Sequence, residues 1–183
     1  MSLLSVPQKR APQQKIVLDL GHTGTKFNLM ENTKPELWDA LKRPFPVSAI
    51  HWRVGATSKD KSKGIALAYV DARDVMKRLD DTVTPAGWQC EYPFPGCCKI
   101  GLYLNGSWVW KSNGAGATDV EGEKGQFSDS FKRAAVMWGI SRYLYSLPNE
   151  WVPLDQYRRI SQPPKLPKWA TPEGFDEITK TNS

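Results

Sequence analysis

Lys132 and Arg133 stand side by side in the run Ser128–Ala134 (SDSFKRA), directly ahead of the apolar stretch Ala134–Ile140. Two adjacent cations next to buried surface can clamp a phosphate backbone. Asp129 precedes them by three and four positions, the spacing of an exposed helical ion pair. The pair alone is consistent with either role. A second chemistry is written in Gly114–Gly125 (GAGATDVEGEKG), where Asp119, Glu121 and Glu123 lie beside Lys124. Clustered carboxylates can hold metal ions for phosphodiester hydrolysis, so a metal-dependent nuclease using the Asp119–Glu123 loop is the alternative reading. The spacing lacks the E-x-K arrangement of restriction-type nucleases. An acidic loop before a helix also suits the helix dipole without any metal.

Other reactive side chains are sparse. Cys90, Cys97 and Cys98 form no C-x-x-C pair, and the two histidines, His22 and His51, are distant from them in sequence. That excludes a zinc site and a disulfide framework, and reads as buried, idle thiols in a reducing compartment. No Ser-His-Asp or Cys-His arrangement appears. Leu18–Lys26 (LDLGHTGTK) is not a Walker A loop and reads as a strand end with a glycine turn. Gly114–Gly122 lacks the last glycine of a dinucleotide fingerprint, with Asp119 in its place.

The elements that position these groups follow from periodicity. Residues 1–14 read as a flexible arm and Lys15–Leu20 as a strand. Leu37–Leu41 reads as a short helix, stopped near Pro44 and Pro46. Ile65–Val70 reads as a strand after the charged loop Lys59–Lys63. Asp71 caps a helix, with Asp74 three residues later as in a capping box. Ala72, Val75, Met76 and Leu79 form its apolar stripe. Arg73 and Lys77 point the other way. Trp88–Tyr92, Lys99–Leu104 and Ser107–Ser112 read as strands, the last two joined by Asn105-Gly106, a type I′ hairpin signal. The main helix is expected over Gln126–Tyr145, with Phe127, Phe131, Ala134, Trp138 and Tyr145 on one face. Its middle, Ala134–Ile140 (AAVMWGI), is apolar all round, so a neighbouring subunit is expected to cover what a sheet cannot. Residues 148–183 read as a Pro-rich tail, extended on the surface or free in solvent.

The whole chain has 183 residues, 40% hydrophobic and 24% charged, which suits one globular domain. No stretch is long enough to cross a bilayer, and the N-terminus has no signal-peptide core. A cytoplasmic protein with no membrane partner is expected. The net charge is +6, with eight Trp, six Tyr and six Phe. A basic, aromatic-rich chain suits single-stranded nucleic acid, whose bases stack while phosphates meet cations.

Taken together, the order of parts resembles the single-strand annealing proteins of the Rad52 type, including bacteriophage relatives and the mitochondrial genome maintenance protein. The resemblance covers about Leu37 to Leu147. It rests on the D-x-x-K-R-A helix Asp129–Ala134, on Tyr69-Val70 leading to Arg73, and on Gly139 six residues after Arg133. The fold implied is α+β: one domain (15–147), an antiparallel β-sheet with a hairpin packed on a long α-helix, assembled into a ring-forming oligomer. The function implied is binding of single-stranded DNA in a positive groove and annealing of complementary strands in recombination and repair, with no ATP, metal or other cofactor. Protein partners implied are the chain itself and a single-strand binding protein or exonuclease. By motif, Arg73, Lys132 and Arg133 become groove residues. Arg53, in Ile50–Gly55 (IHWRVG), and Lys59, Lys61 and Lys63 occupy the place of the family's basic turn. The family's further cation one turn after the Lys-Arg pair is Val136 here; Lys124 or Arg142 is the expected substitute. The absence of a long C-terminal half suits a phage or bacterial minimal form.

Overall fold

The structure, a computed structural model, describes residues 35–114 and 123–181. The arm 1–14, the strand expected over 15–20, the LDLGHTGTK turn, Asp119 and Glu121 lie outside the described residues, as do the side chains of Glu123 and Lys124.

Four helices and six strands are described: α1 (Pro35–Lys42), β1 (His51–Thr57), β2 (Lys63–Tyr69), α2 (Ala72–Val83), β3 (Trp88–Glu91), β4 (Cys97–Leu104), β5 (Ser107–Gly114), α3 (Glu123–Met137), β6 (Glu150–Pro153) and α4 (Pro172–Thr181). The fold is α+β. Two antiparallel three-stranded sheets are ordered β1-β2-β6 and β3-β4-β5. No described helix is long and apolar enough to cross a membrane.

The β4–β5 hairpin turns at Asn105 and Gly106, whose φ values of 51° and 81° are those the Asn-Gly pair favours. Its alternation sends Cys98, Ile100, Leu102 and Leu104 into the core and leaves Lys99, Gly101 and Tyr103 on the opposite face. Helix α3 lies against β4 and β5. Trp138, one residue past its end, closes that contact, Nε1 donating to the Ile100 carbonyl at 3.1 Å.

Helix α2 buries Val75, Leu79 and Val83, one residue per turn. Met76, expected in the stripe, is exposed; the buried seam is a single i,i+4 row and Met76 sits beside it. Asp71 is the N-cap, yet its side chain makes no cap hydrogen bond. Its carboxylate stands instead 3.5 Å from His51 Nε2.

Helix α3 stops at Met137, short of the expected Tyr145. Gly139 (φ 94°) and Ser141 (φ 56°) take left-handed conformations that end it. A short 3-10 turn, Arg142–Ser146, follows. The run Ala134–Ile140 is therefore not a helix apolar on every side. Ala134, Ala135, Trp138 and Ile140 are buried within this chain. Trp38 of α1 stacks on Trp138, ring centroids 6.3 Å apart and planes 6° from parallel. This cover comes from the chain itself, so the run carries no argument for a neighbouring subunit. Tyr145 and Phe127, expected on the packed face, are exposed.

The segment after Leu147 is more than a tail. Residues 150–153 add strand β6 to β2, with Lys63 opposite Pro153 and Ala66 opposite Glu150. Helix α4 closes the described chain, and Arg43 pairs with Asp176 across it.

Candidate nucleic-acid interface

Sheet register decides which side chains share a face. Cross-strand partners point the same way, and alternate residues along a strand do too. His51 pairs with Tyr69 and Arg53 with Leu67, so His51, Arg53, Leu67 and Tyr69 share one face of the β1-β2-β6 sheet. Ile65 is on it as well, with its partner Trp151.

Lys132 reaches that face from α3. Its Nζ lies 5.3 Å from the centroid of the Tyr69 ring, within cation–π range. The Tyr69 and His51 rings are 5.4 Å apart. Beyond His51 lies the first turn of α2, where Asp71 and Asp74 offer carboxylate oxygens within 4.8 Å of each other and of the histidine. Arg73 sits between these two acids, exposed. A row thus runs Lys132, Tyr69, His51 and the carboxylates of Asp71 and Asp74, and Arg53 lies two residues along β1 on the same face; Arg73 is turned about 100° around α2 from Asp74. Among the described residues, neither Arg53 nor Arg73 forms an ion pair. His51, Asp71 and Asp74 are the one described group of side chains that could ligate a metal. The exposed contact of His51 with Asp71 at 3.5 Å accounts for the closeness equally well.

The other expected cations fall elsewhere. Lys59, Lys61 and Lys63 surround the β1–β2 turn, all exposed. That turn is built on Asp60, which accepts from Ser58 Oγ at 2.6 Å and Ser62 Oγ at 2.8 Å. These bonds hold its carboxyl at about 2, below the usual carboxylate range. Arg133 does not join the row. Its Nε lies 3.0 Å from Asp129 Oδ2 in an exposed i,i+4 pair, the alternative that the spacing allowed. Arg142 is committed to the end of α3, its guanidinium donating to the carbonyls of Val136 (2.9 and 2.7 Å) and Met137 (3.0 Å). Its task is a C-terminal cap, and cations there also suit the dipole.

Sequence reasoning missed Tyr69 as a platform for Lys132, although Tyr69-Val70 had been singled out as leading to Arg73. It also missed Arg158 and Arg159, which line a cleft with Arg53. Their signal was an Arg-Arg pair inside the supposed tail. The cysteines are free. Cys90 and Cys98 share the inner face of β3 and β4. Hydrogen bonding with Cys98 pulls the Cys90 thiol below its ordinary range, while the same hydrogen bond, with burial and the Cys90 charge, pushes Cys98 up.

Comparison with known proteins gives a consistent result. The family model for the Rad52/22 family double-strand break repair protein matches residues 98–162, from β4 through α3 and past β6. A protein from Deinococcus deserti named "Single-stranded DNA-binding protein DdrA" is 40% identical over 139 residues, 73% of this chain and 69% of the relative. The protein of the same name from Deinococcus radiodurans is 34% identical, covering 73% of this chain and 66% of the relative.

Proposed function

The chain belongs to the Rad52/22 family of double-strand break repair proteins, and from that premise we propose that it binds single-stranded DNA and anneals complementary strands. The observation that carries the reading is the row on the β1-β2-β6 face. There Lys132 stands over Tyr69, with Arg53 on the same face and Arg73 exposed on the neighbouring helix α2. Cations at successive points along a face meet successive phosphates, and an extended strand held by its backbone keeps its bases free for pairing. The names of the two relatives support single-stranded DNA as the partner. No ATP, metal or turnover chemistry enters this scheme.

Two further parts of the proposal concern the assembly. The chain works as a homo-oligomeric ring, cytoplasmic, with a single-strand binding protein or exonuclease acting before it. Self-association is supported by the apolar members of the same face: Ile65 and Leu67 are half-buried, and Trp151 remains 52% exposed in the single chain. A closed ring uses head-to-tail contacts of this kind. The DNA contacts are Arg53, Arg73 and Lys132, with Lys59, Lys61 and Lys63 at one end of the sheet. Arg133 joins only by giving up Asp129.

The test is fluorescence anisotropy with labelled oligonucleotides of two unrelated sequences, at rising salt and in EDTA. Affinity is expected to fall with salt at a slope of about −0.7 per phosphate neutralised, equally for both sequences. Arg53→Ala, Arg73→Ala and Lys132→Ala together should leave the folded mass unchanged and slow annealing. Annealing by the triple variant at the wild-type rate would overturn the groove. Mg²⁺-dependent degradation of the oligonucleotides would favour the nuclease alternative at Asp119–Glu123.

A further inference from the structure

A cleft of about 320 Å³ between β1 and the turn after β6 is lined by Trp52, Arg53, Val54, Arg158, Arg159, Ile160 and Pro163. Three of these are arginines, and they arrive from two segments about a hundred positions apart in sequence. Like charges gathered around one concavity repel one another unless an anion is shared between them.

The turn that brings two of them is built for presentation. Asp155 Oδ1 accepts from the backbone N–H of Tyr157 and of Arg159, each at 2.8 Å. The Asp155 N–H in turn donates to the Arg159 carbonyl at 2.8 Å. Arg159 is oriented twice over. Its Nε lies 3.2 Å from Asp155 Oδ2, and its guanidinium carbon stands 4.8 Å from the Tyr157 ring centroid. Arg158 occupies the left-handed corner of the turn, with φ 58°. That conformation costs a non-glycine residue about 1–2 kcal/mol, and glycine or asparagine is the usual occupant. Among the described residues Arg158 has no ion-pair partner, and neither has Arg53. Among the described residues only Asp155 pairs with one of the three cations, so the lining keeps an excess of positive charge. Trp52, next to Arg53 on the opposite face of β1 and partly packed on the core, adds a planar side chain to the lining.

We propose that this cleft holds one nucleotide unit of the single strand, its phosphate shared by Arg53, Arg158 and Arg159 and its base against Trp52. The inference rests on the single-strand reading above and extends it. Arg53 also belongs to the face that carries Lys132 and Tyr69, so it joins the cleft to that row. The strand then continues from the row over the edge of β1. A duplex cannot use such a site, because its bases are already stacked on one another.

The experiment uses the full chain and a labelled oligothymidylate. Arg158→Gly is the main variant: it removes the guanidinium while easing the left-handed backbone, so its thermal midpoint should match or exceed wild type. Binding is expected to weaken several-fold at moderate salt, and the salt slope to fall by about 0.7, one phosphate contact. Arg158→Lys should recover part of the loss. Independently, an oligonucleotide carrying 4-thiothymidine, irradiated on the wild-type protein, should cross-link to peptides containing Trp52 and residues 157–163. An unchanged slope for Arg158→Gly, or cross-links confined to α2 and α3, overturns the cleft while leaving the row intact. Binding of free dTMP as tight as that of the oligonucleotide also overturns it, by making this a mononucleotide site. A wild-type protein that binds no single strand overturns both readings.

Discussion

Arg142 and Arg133 lie near the same end of α3, and their guanidiniums meet different fates. The three donor bonds of Arg142 go to the last carbonyls of α3, which also accept from Gly139 N–H and Lys111 Nζ, so Arg142→Ala is expected to lower unfolding free energy by about 1 kcal/mol. Arg133→Ala gives up one exposed ion pair, for a loss of about 0–1 kcal/mol. Urea denaturation of the two variants measures the difference, and equal losses would contradict the capping role. Both residues are candidate DNA contacts through the family resemblance. Position could show that each points away from the core. It could not show that α3 ends at Met137, which turns Arg142 back onto the helix. Lys132 could be found as a surface cation, whereas its seat on Tyr69 depends on β2 docking beside α3. The thiols offer a second check. The hydrogen bond from Cys98 favours the Cys90 thiolate. Iodoacetamide near neutral pH should therefore modify Cys90 before Cys98, and Cys98→Ala should slow that reaction. Faster labelling of Cys98 would reverse the direction of the bond.

Local elements were the most legible in the sequence, because their signals are contained within them. The β4–β5 hairpin is specified by Asn105-Gly106 and by the alternation on either side. The start of α2 is specified by Asp71, even though that side chain turns to His51 rather than to the helix. The close of α2 depends on a glycine for a reason no periodicity shows. A Cβ at Gly87 would lie 1.8 Å from the Val83 carbonyl oxygen, while the Gly87 carbonyl accepts from Tyr103 N–H at 2.9 Å. The chain cannot move off Val83 without releasing β4. Gly87→Ala is thus expected to cost about 3 kcal/mol or more, visible as a large fall in the thermal midpoint. Gly106→Ala, which meets nothing within 4 Å and pays only for its φ of 81°, should cost about 1 kcal/mol. Strand β6 was illegible. It is four residues long, ends in proline, and its partner is distant in sequence, so neither alternation nor a turn announces it.

At the scale of the whole molecule, the boundary drawn from composition at residue 147 cuts through the β1-β2-β6 sheet. A chain ending at Leu147 should lose β6 and expose the β2 edge. The expected result is lower stability and aggregation on concentration, measured by light scattering against the full chain; a soluble, equally stable fragment would show that β6 contributes nothing. The same pairing has a consequence in time. Lys63 meets Pro153 across about ninety intervening positions, a long loop to close before any bond rewards it. The β3-β4-β5 sheet needs only neighbours along the chain and can assemble while synthesis continues. The sheet bearing Arg53 and Tyr69 waits until Pro153 has left the ribosome. Through that interval β2 offers an unpaired edge to any nascent copy on the same message, so of the two sheets the one proposed for DNA is the later to be closed against its own kind.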